Sequence, residues 1–377
     1  MLTADQLDVL PDPILDLFER LHLSILRDIA RRVAGLDYLS AAWQVQRMIE
    51  AGLLYEEIIR RLSDATGQSE RVLREIFQSA GVRAIRFDDQ IYRAAGLELL
   101  PLNLSPQMMN ALTAGLRKTG GLLYNLSMTT AISGQELFIN ATDLAYMQIS
   151  TGALDYDTAI REAVKEAARK GLEVIYFESG HRDKIDVATR RAVLTGVNQT
   201  VGEMQIARAD QVGSDLVQTT AHLGARNKGD VPENHEMWQG RVFTRGTDPA
   251  NTQYPNFFEV TGYGTGPGLM GWNCRHNFYP YFKGISENYY TPDILTEYAN
   301  KTVTYNGQEM SYYDATQYQR KIERDIRQAK REAAAVEATG LDASVEQRIV
   351  RELQSEMREF VRQTGLRRQY PREQVYD

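Results

Sequence analysis

The chain has 377 residues, a formal net charge of −7, 43% hydrophobic and 25% charged residues, and one cysteine. That length exceeds a single hydrophobic core and the composition is that of an ordinary globular protein, so two or three packed subdomains are expected and collagenous, disordered and membrane-embedded classes are excluded. The acidic balance excludes a chain drawn as a whole to nucleic acid, leaving room only for local DNA contact, and the lone Cys274 excludes an internal disulfide or an all-thiolate metal cage.

Residues 1–10 carry Asp5 and Asp8 and lack the basic and apolar regions of an export signal. No uncharged apolar run reaches the roughly 18 residues of a spanning helix. The expectation is a protein made in a reducing cytoplasm and without a membrane segment.

Ile14, Leu17, Phe18, Leu21, Ile25 and Ile29 recur every three or four positions, which predicts an amphipathic helix over 13–33. Further stripes at Tyr55, Ile58, Ile59 and Leu62, and at Val72, Leu73, Ile76 and Phe77, predict a run of short helices, the last capped by Ser69. Ser105 before Pro106 opens a helix that Gly120 and Gly121 are expected to stop near Thr119. Helices follow over 134–149 and 156–170, the second closed by Gly171.

The run LEVIYF at 172–177 is β-branched and aromatic and reads as a short buried strand. A helix over 187–208 and a strand over 215–220 come next. A long aromatic stretch with many Gly, Asn and Pro residues then fills 225–290; it is expected to be an ordered core around Trp238 and Trp272, because disordered segments are poor in aromatics. Beyond Ser311, two charged helices separated by Gly340 predict a hairpin, with Tyr318, Ile322, Ile326 and Ala329 facing Ile349, Leu353, Met357 and Phe360. The fold expected is mainly α with a smaller α+β part: a helical N-terminal domain at 1–150, a loop-rich α+β central domain at 151–290, and a C-terminal hairpin and tail at 291–377.

Chemistry concentrates in His222, His235, Cys274 and His276. Cys274 and His276 are one residue apart, so in an extended segment both side chains share a face and could hold one ion. One cysteine with three histidines is an uncommon structural zinc set, and no pair has zinc-finger or HExxH spacing, so no bound transition metal is expected. The favoured alternative has His222 and His235 hydrogen-bonded to backbone and Cys274 as a small buried hydrophobe. A nucleophilic Cys274 assisted by Arg275 and His276 is a third reading.

The alternating glycines Gly262, Gly264, Gly266 and Gly268 lack the strand and helix that a phosphate-binding loop needs. His181, Arg182 and Asp183 spell the start of a kinase catalytic loop, but Ala188 stands where its metal-binding Asn belongs. Arg320, Arg324, Arg327 and Arg331 are expected to stay free for a partner, and Arg367, Arg368 and Arg372 to be available for DNA or an acidic surface.

Five long stretches carry a family resemblance: SGHRDKIDVATRRAVLTGVNQT from Ser179, TTAHLGARNKGDVPENHEMWQGRVF from Thr219, TGYGTGPGLMGWNCRHNFYPYFKG from Thr261, QYQRKIERDIRQAKRE from Gln317 and TGLRRQYPREQ from Thr364. The chain resembles the second type of tailed-phage minor capsid protein, related to Mu F-like head morphogenesis proteins. The matching motif positions include His181, Arg182, His222, His235, Trp238, Gly240, Trp272, Asn273, Cys274, Arg275 and His276.

The resemblance implies a structural protein of the virion, at the capsid interior or portal vertex, present in few copies or self-associating. It implies the portal protein and other capsid proteins as partners, a role in head assembly and in DNA packaging or delivery, and neither a reaction nor a cofactor. Many Mu F-like relatives carry several cysteines around the equivalents of His235 and NCRH, whereas this chain keeps only Cys274. The competing class is a virion-associated metal- or Cys-dependent hydrolase, a nuclease or a peptidase.

Overall fold

A computed structural model describes residues 1–176 and 180–375. Phe177, at the end of the predicted strand, and Ser179, at the head of the first family stretch, lie outside the described residues. The chain forms two compact units, each gathered from three separated segments: 1–11, 70–121 and 190–316 in one, and 12–69, 122–189 and 317–377 in the other. No helix among the described residues is long and apolar enough to cross a membrane.

The elements in chain order begin with α1 (Ala4–Val9), α2 (Asp12–Gly35), α3 (Trp43–Ala94), α4 (Pro106–Ser150) and α5 (Tyr156–Lys170). They continue with β1 (Glu173–Tyr176), β2 (His181–Lys184), α6 (Ile185–Val212), β3 (Leu216–Thr219), β4 (Val242–Thr244), α7 (Phe257–Thr261) and β5 (Phe278–Pro280). The last are α8 (Pro292–Asn300), β6 (Thr302–Tyr305), β7 (Gln308–Ser311), α9 (Tyr312–Ala338) and α10 (Ser344–Thr364). The fold is mainly α with a small α+β part, as the periodicities implied.

Two expectations for the N-terminal part are corrected. The run of short helices is the single 52-residue α3, and Ser69 is no cap but a buried mid-helix residue whose hydroxyl donates to Thr66 O at 2.8 Å. Likewise α4 runs unbroken for 45 residues through Gly120, Gly121 and Gly134. A glycine costs a helix interior only about 1 kcal/mol, and the buried Leu112, Leu123, Leu126, Leu137 and Phe138 outweigh it by continuing the apolar stripe through the break.

In the second unit, α2 buries Ile14, Phe18, Ile25, Ile29 and Val33 and packs on α5, whose facing residues Ala159, Ala163 and Ala167 are small enough for close approach. Local signals fix α5: Asp155 accepts from Thr158 N at 3.1 Å at its start, and Gly171 at φ 64 ends it. β1 and β2 form an antiparallel hairpin with Glu173 opposite Lys184 and Tyr176 opposite His181. β2 has no local signature, since HRDK has no β-branched residue.

The hairpin of α9 and α10 forms with the rings of Tyr318 and Phe360 tilted against each other, centroids 5.2 Å apart, and ends at Gly365 in the left-handed region. Its face is rotated from the expected one. Glu346, Met357, Phe360 and Thr364 are buried, whereas Ile349 is 38% exposed. Arg161 draws Glu346 inward through two bonds of 2.9 and 2.8 Å, with Lys165 Nζ at 3.6 Å.

In the first unit, a three-stranded antiparallel sheet has β3 between β4 and β5, with Val217 opposite Phe243 and Pro280. Trp238, Phe243, Phe257, Leu269 and Phe278 pack on it as one buried cluster. Burial of each such aromatic contributes about 1.5–3 kcal/mol, which orders a stretch otherwise dominated by turns. Trp272 departs from the expectation: it is 58% exposed, its indole covering Gly266. The glycine-rich loop is a backbone stack, since a Cβ at Gly268 would sit 2.2 Å from Gly262 O and one at Gly271 would sit 2.1 Å from Gly266 O. α4 and α6 approach reciprocally, Gly115 receiving Thr200 and Gly196 receiving Thr119.

Candidate functional site

His235 opens a 3₁₀ turn at 235–237, and Cys274 and His276 lie on the segment that leads into β5. Met270 and Asn273, both at positive φ, turn the chain just before Cys274. Asn198 on α6 then clamps it, its amide donating to Cys274 O and His276 O at 3.1 Å each. His235, Cys274 and His276 are all buried.

The thiol faces both rings. Cys274 Sγ lies 3.9 Å from His235 Nδ1 and 3.8 Å from His276 Nδ1, and accepts from His276 N at 3.4 Å. The far ring nitrogens are also engaged: His235 Nε2 meets Pro267 O at 2.9 Å, and His276 Nε2 meets Gln239 Oε1 at 3.1 Å. His222 joins the cluster by stacking on His276, with centroids 4.3 Å apart, while its Nδ1 meets Leu223 O at 2.8 Å. Trp238 closes another side, 4.6 Å from His235 and 4.9 Å from His276 between ring centroids.

Burial governs the protonation states, because an ion here would lose its water. It pulls His222 down to about 3 and His235 to about 4, and holds His276 well below the usual imidazole range. The Cys274 thiol is pushed up by the same burial. A thiol pushed up disfavours the thiolate a nucleophile needs, imidazoles pulled this low are weak general bases, and both roles need access that these buried residues do not offer.

Of the other family positions, Arg275 Nη1 lies 3.9 Å from Asp8 Oδ2, and Gly240 adopts φ 70 against Tyr290 and Leu295. His181 and Arg182 belong to the other unit. There His181 Nε2 lies 3.3 Å from Asp183, and Arg182 pairs with Glu136 at 3.1 Å and Glu173 at 3.3 Å. Sequence reasoning missed Asn198, Gln239 and the Pro267 carbonyl; Gln239, beside Trp238, was the one with a positional hint.

The basic residues expected to be free are in part spent internally. Arg327 binds Asp186 at 2.9 Å, Arg331 is buried with Nη1 3.6 Å from Glu19, and Arg327 Nε lies 3.8 Å from the same carboxylate. Arg368 grips Glu373 at 2.6 Å, and Arg372 lies 3.8 Å from Glu323. The charged flank of α9 is expected to face outward; for Arg327 and Arg331, acidic partners on α6 and α2 turn it inward.

A family described as phage minor capsid protein 2 matches residues 2–362. A structural protein of Lactococcus phage LL-H is 22% identical over 347 residues, covering 89% of each chain. A structural protein of Lactococcus phage mv4 is 34% identical over 129 residues, covering 33% of this chain and 94% of its own length. No solved structure matches at a significant level.

Proposed function

Starting from the premise that the chain belongs to the phage minor capsid protein 2 family, we propose that it is a non-catalytic assembly component at the capsid interior or portal vertex, in contact with the portal protein and neighbouring capsid subunits. The observation that carries this reading is a solvent-facing apolar stripe at the start of α3. Val45, Met48, Ile49 and Leu53 follow helical spacing, and Leu39 precedes them; all five are exposed. A contiguous apolar patch of this kind suits a protein partner better than solvent. Arg327, Arg331, Arg368 and Arg372 have acidic partners within the chain, which favours protein over DNA as the main contact.

Burial of Cys274, His235 and His276 argues in the same direction against the hydrolase alternative, since a substrate would have to displace the aromatic core. The test is a Met48→Asp, Ile49→Lys variant supplied to phage lacking the wild-type protein. We expect a folded protein by circular dichroism and at least a tenfold loss of its incorporation into heads. A photocrosslinker at Met48 is expected to capture the portal protein. Normal incorporation of the variant would remove the stripe from the interface, and capture of the major capsid protein alone would remove the portal.

A further inference from the structure

We propose that His235, Cys274 and His276 form a three-donor site for one thiophilic transition-metal ion, with Zn²⁺ the cation that matches the set. Spacing in the sequence argued against a metal, but spacing does not contain the direction of lone pairs. The hydrogen-bond partners supply it. The amide N–H of His222 donates to Gln239 Oε1 at 3.1 Å, so that oxygen is an acceptor and the His276 nitrogen 3.1 Å from it, Nε2, carries the ring proton. The Pro267 carbonyl can only accept, so His235 Nε2 carries its proton too. Neither ring has a carboxylate among its hydrogen-bond partners, so Nδ1 is left as the bare nitrogen on each, and both Nδ1 atoms face Cys274 Sγ.

That leaves a hydrogen deficit. The thiol has one proton for two nitrogen lone pairs, and its sulfur is already an acceptor from His276 N. One buried Nδ1 therefore lacks a donor at any instant, an unfavourable state for a buried polar atom. A cation in place of the thiol proton takes all three lone pairs together, and its binding releases that proton to solvent.

The geometry is close to what an ion needs. The three donor atoms lie within 4.8 Å of one another. Zinc bonds of about 2.0–2.1 Å to nitrogen and 2.3 Å to sulfur set tetrahedral S···N edges near ~3.5 Å, a few tenths of an ångström inside the observed 3.8 and 3.9 Å. The outer partners are those of metal-bound histidines, a carbonyl and an amide oxygen fixing the rings from behind. Asn198 and the N–H on sulfur hold the Cys-x-His turn. Three protein donors leave one coordination position, and burial keeps it from a substrate, so the ion would act as a staple of the sheet and its aromatic loop. His222 stays outside the set, its Nδ1 committed to Leu223 O.

The test uses the full chain purified under reducing conditions without chelator. Elemental analysis is expected to find one zinc per chain after dialysis, and Co²⁺ exchanged into the wild-type protein is expected to show a thiolate-to-cobalt charge-transfer band with tetrahedral d–d absorption. Cys274→Ser should abolish the band, His222→Ala should keep it, and Gln239→Leu should weaken zinc affinity about 10–100-fold through the loss of ring positioning. Wild-type protein that is folded by circular dichroism yet holds no zinc and gives no cobalt band overturns the proposal. So does metal held equally well by Cys274→Ser.

Discussion

In the unit built on β3, β4 and β5, the cluster around Cys274 consists of three imidazoles and a thiol that burial keeps uncharged, although the same unit also buries the ion pair of Arg208 with Asp89. In the unit that holds the α9–α10 hairpin, the corresponding cluster is ionic: Glu19, Asp186 and Arg331 are buried, and the half-buried Arg327 joins them. Burial resists ionisation of Asp186, yet Arg327 and Arg331 outweigh it and hold the carboxyl below its ordinary range. Glu19 goes the other way, raised by burial and then by Asp186. A neutral cluster loses little when one ring changes, whereas a charge network fails when a partner is removed, because the remaining ion is stranded without water. The first device serves a site; the second ties distant helices together.

The largest break in this comparison is expected from Arg331→Met. It takes from Glu19 the nearer of its two cations, while Asp186 keeps Arg327, and should cost about 3–5 kcal/mol, read as a fall in the urea midpoint for unfolding. Glu19→Leu added to it should recover part of the loss, since removing both charges removes the mismatch. Independent, additive losses would show that the network is not coupled.

A pH series sharpens the contrast. Glu323 is pushed up to about 7 by burial, against the opposing pull of Arg372, Arg327 and Arg320. The folded state therefore keeps a proton that the unfolded chain, with a value near 4.5, gives up. The stabilisation is full below about pH 4.5 and is lost as pH rises through about 7, at about 1.4 kcal/mol per pH unit while the two states differ by one proton. The urea midpoint should fall between pH 5 and 8 in the wild type and fall less in Glu323→Gln. Parallel slopes would assign the dependence to other groups.

The smallest effect is expected from His222→Phe, which keeps the stack on His276 and loses one bond to Leu223 O; a change under about 1 kcal/mol is predicted. A loss above about 2 kcal/mol in thermal or urea unfolding would mean that the neutral cluster is as unforgiving as the ionic one.

How much of this was legible depended on where the physics is written. The ends of α5 and α10 rest on Gly171 and Gly365, which act within one turn of chain and were readable. Ser69, Gly120 and Gly121 speak in the same local terms and misled, because packing of residues distant in sequence overrode them. Periodicity chose Ile349 for the hairpin face, but the structure turns Glu346 inward, toward two cations on α5 that no helical wheel can display. At the site, the one-residue spacing suggests that Cys274 and His276 share a face, but no spacing rule places His235 beside them, where the structure has it. Their ring orientation depends on a backbone carbonyl at Pro267 and an amide at Gln239, and a carbonyl has no signature in a sequence.

The ion network of α9 also sets a schedule for synthesis. Arg331 follows Glu19 by 312 residues in the chain. At the usual ribosomal rate of about 5–20 residues per second, Glu19 waits roughly 15–60 s for its cation. Through that interval α2 holds a carboxyl it cannot bury as an ion, and its apolar face, with Phe18 and Ile25, has only part of its final packing. The second unit therefore closes late, and a nascent chain stopped before residue 331 presents an open apolar helix to chaperones and proteases.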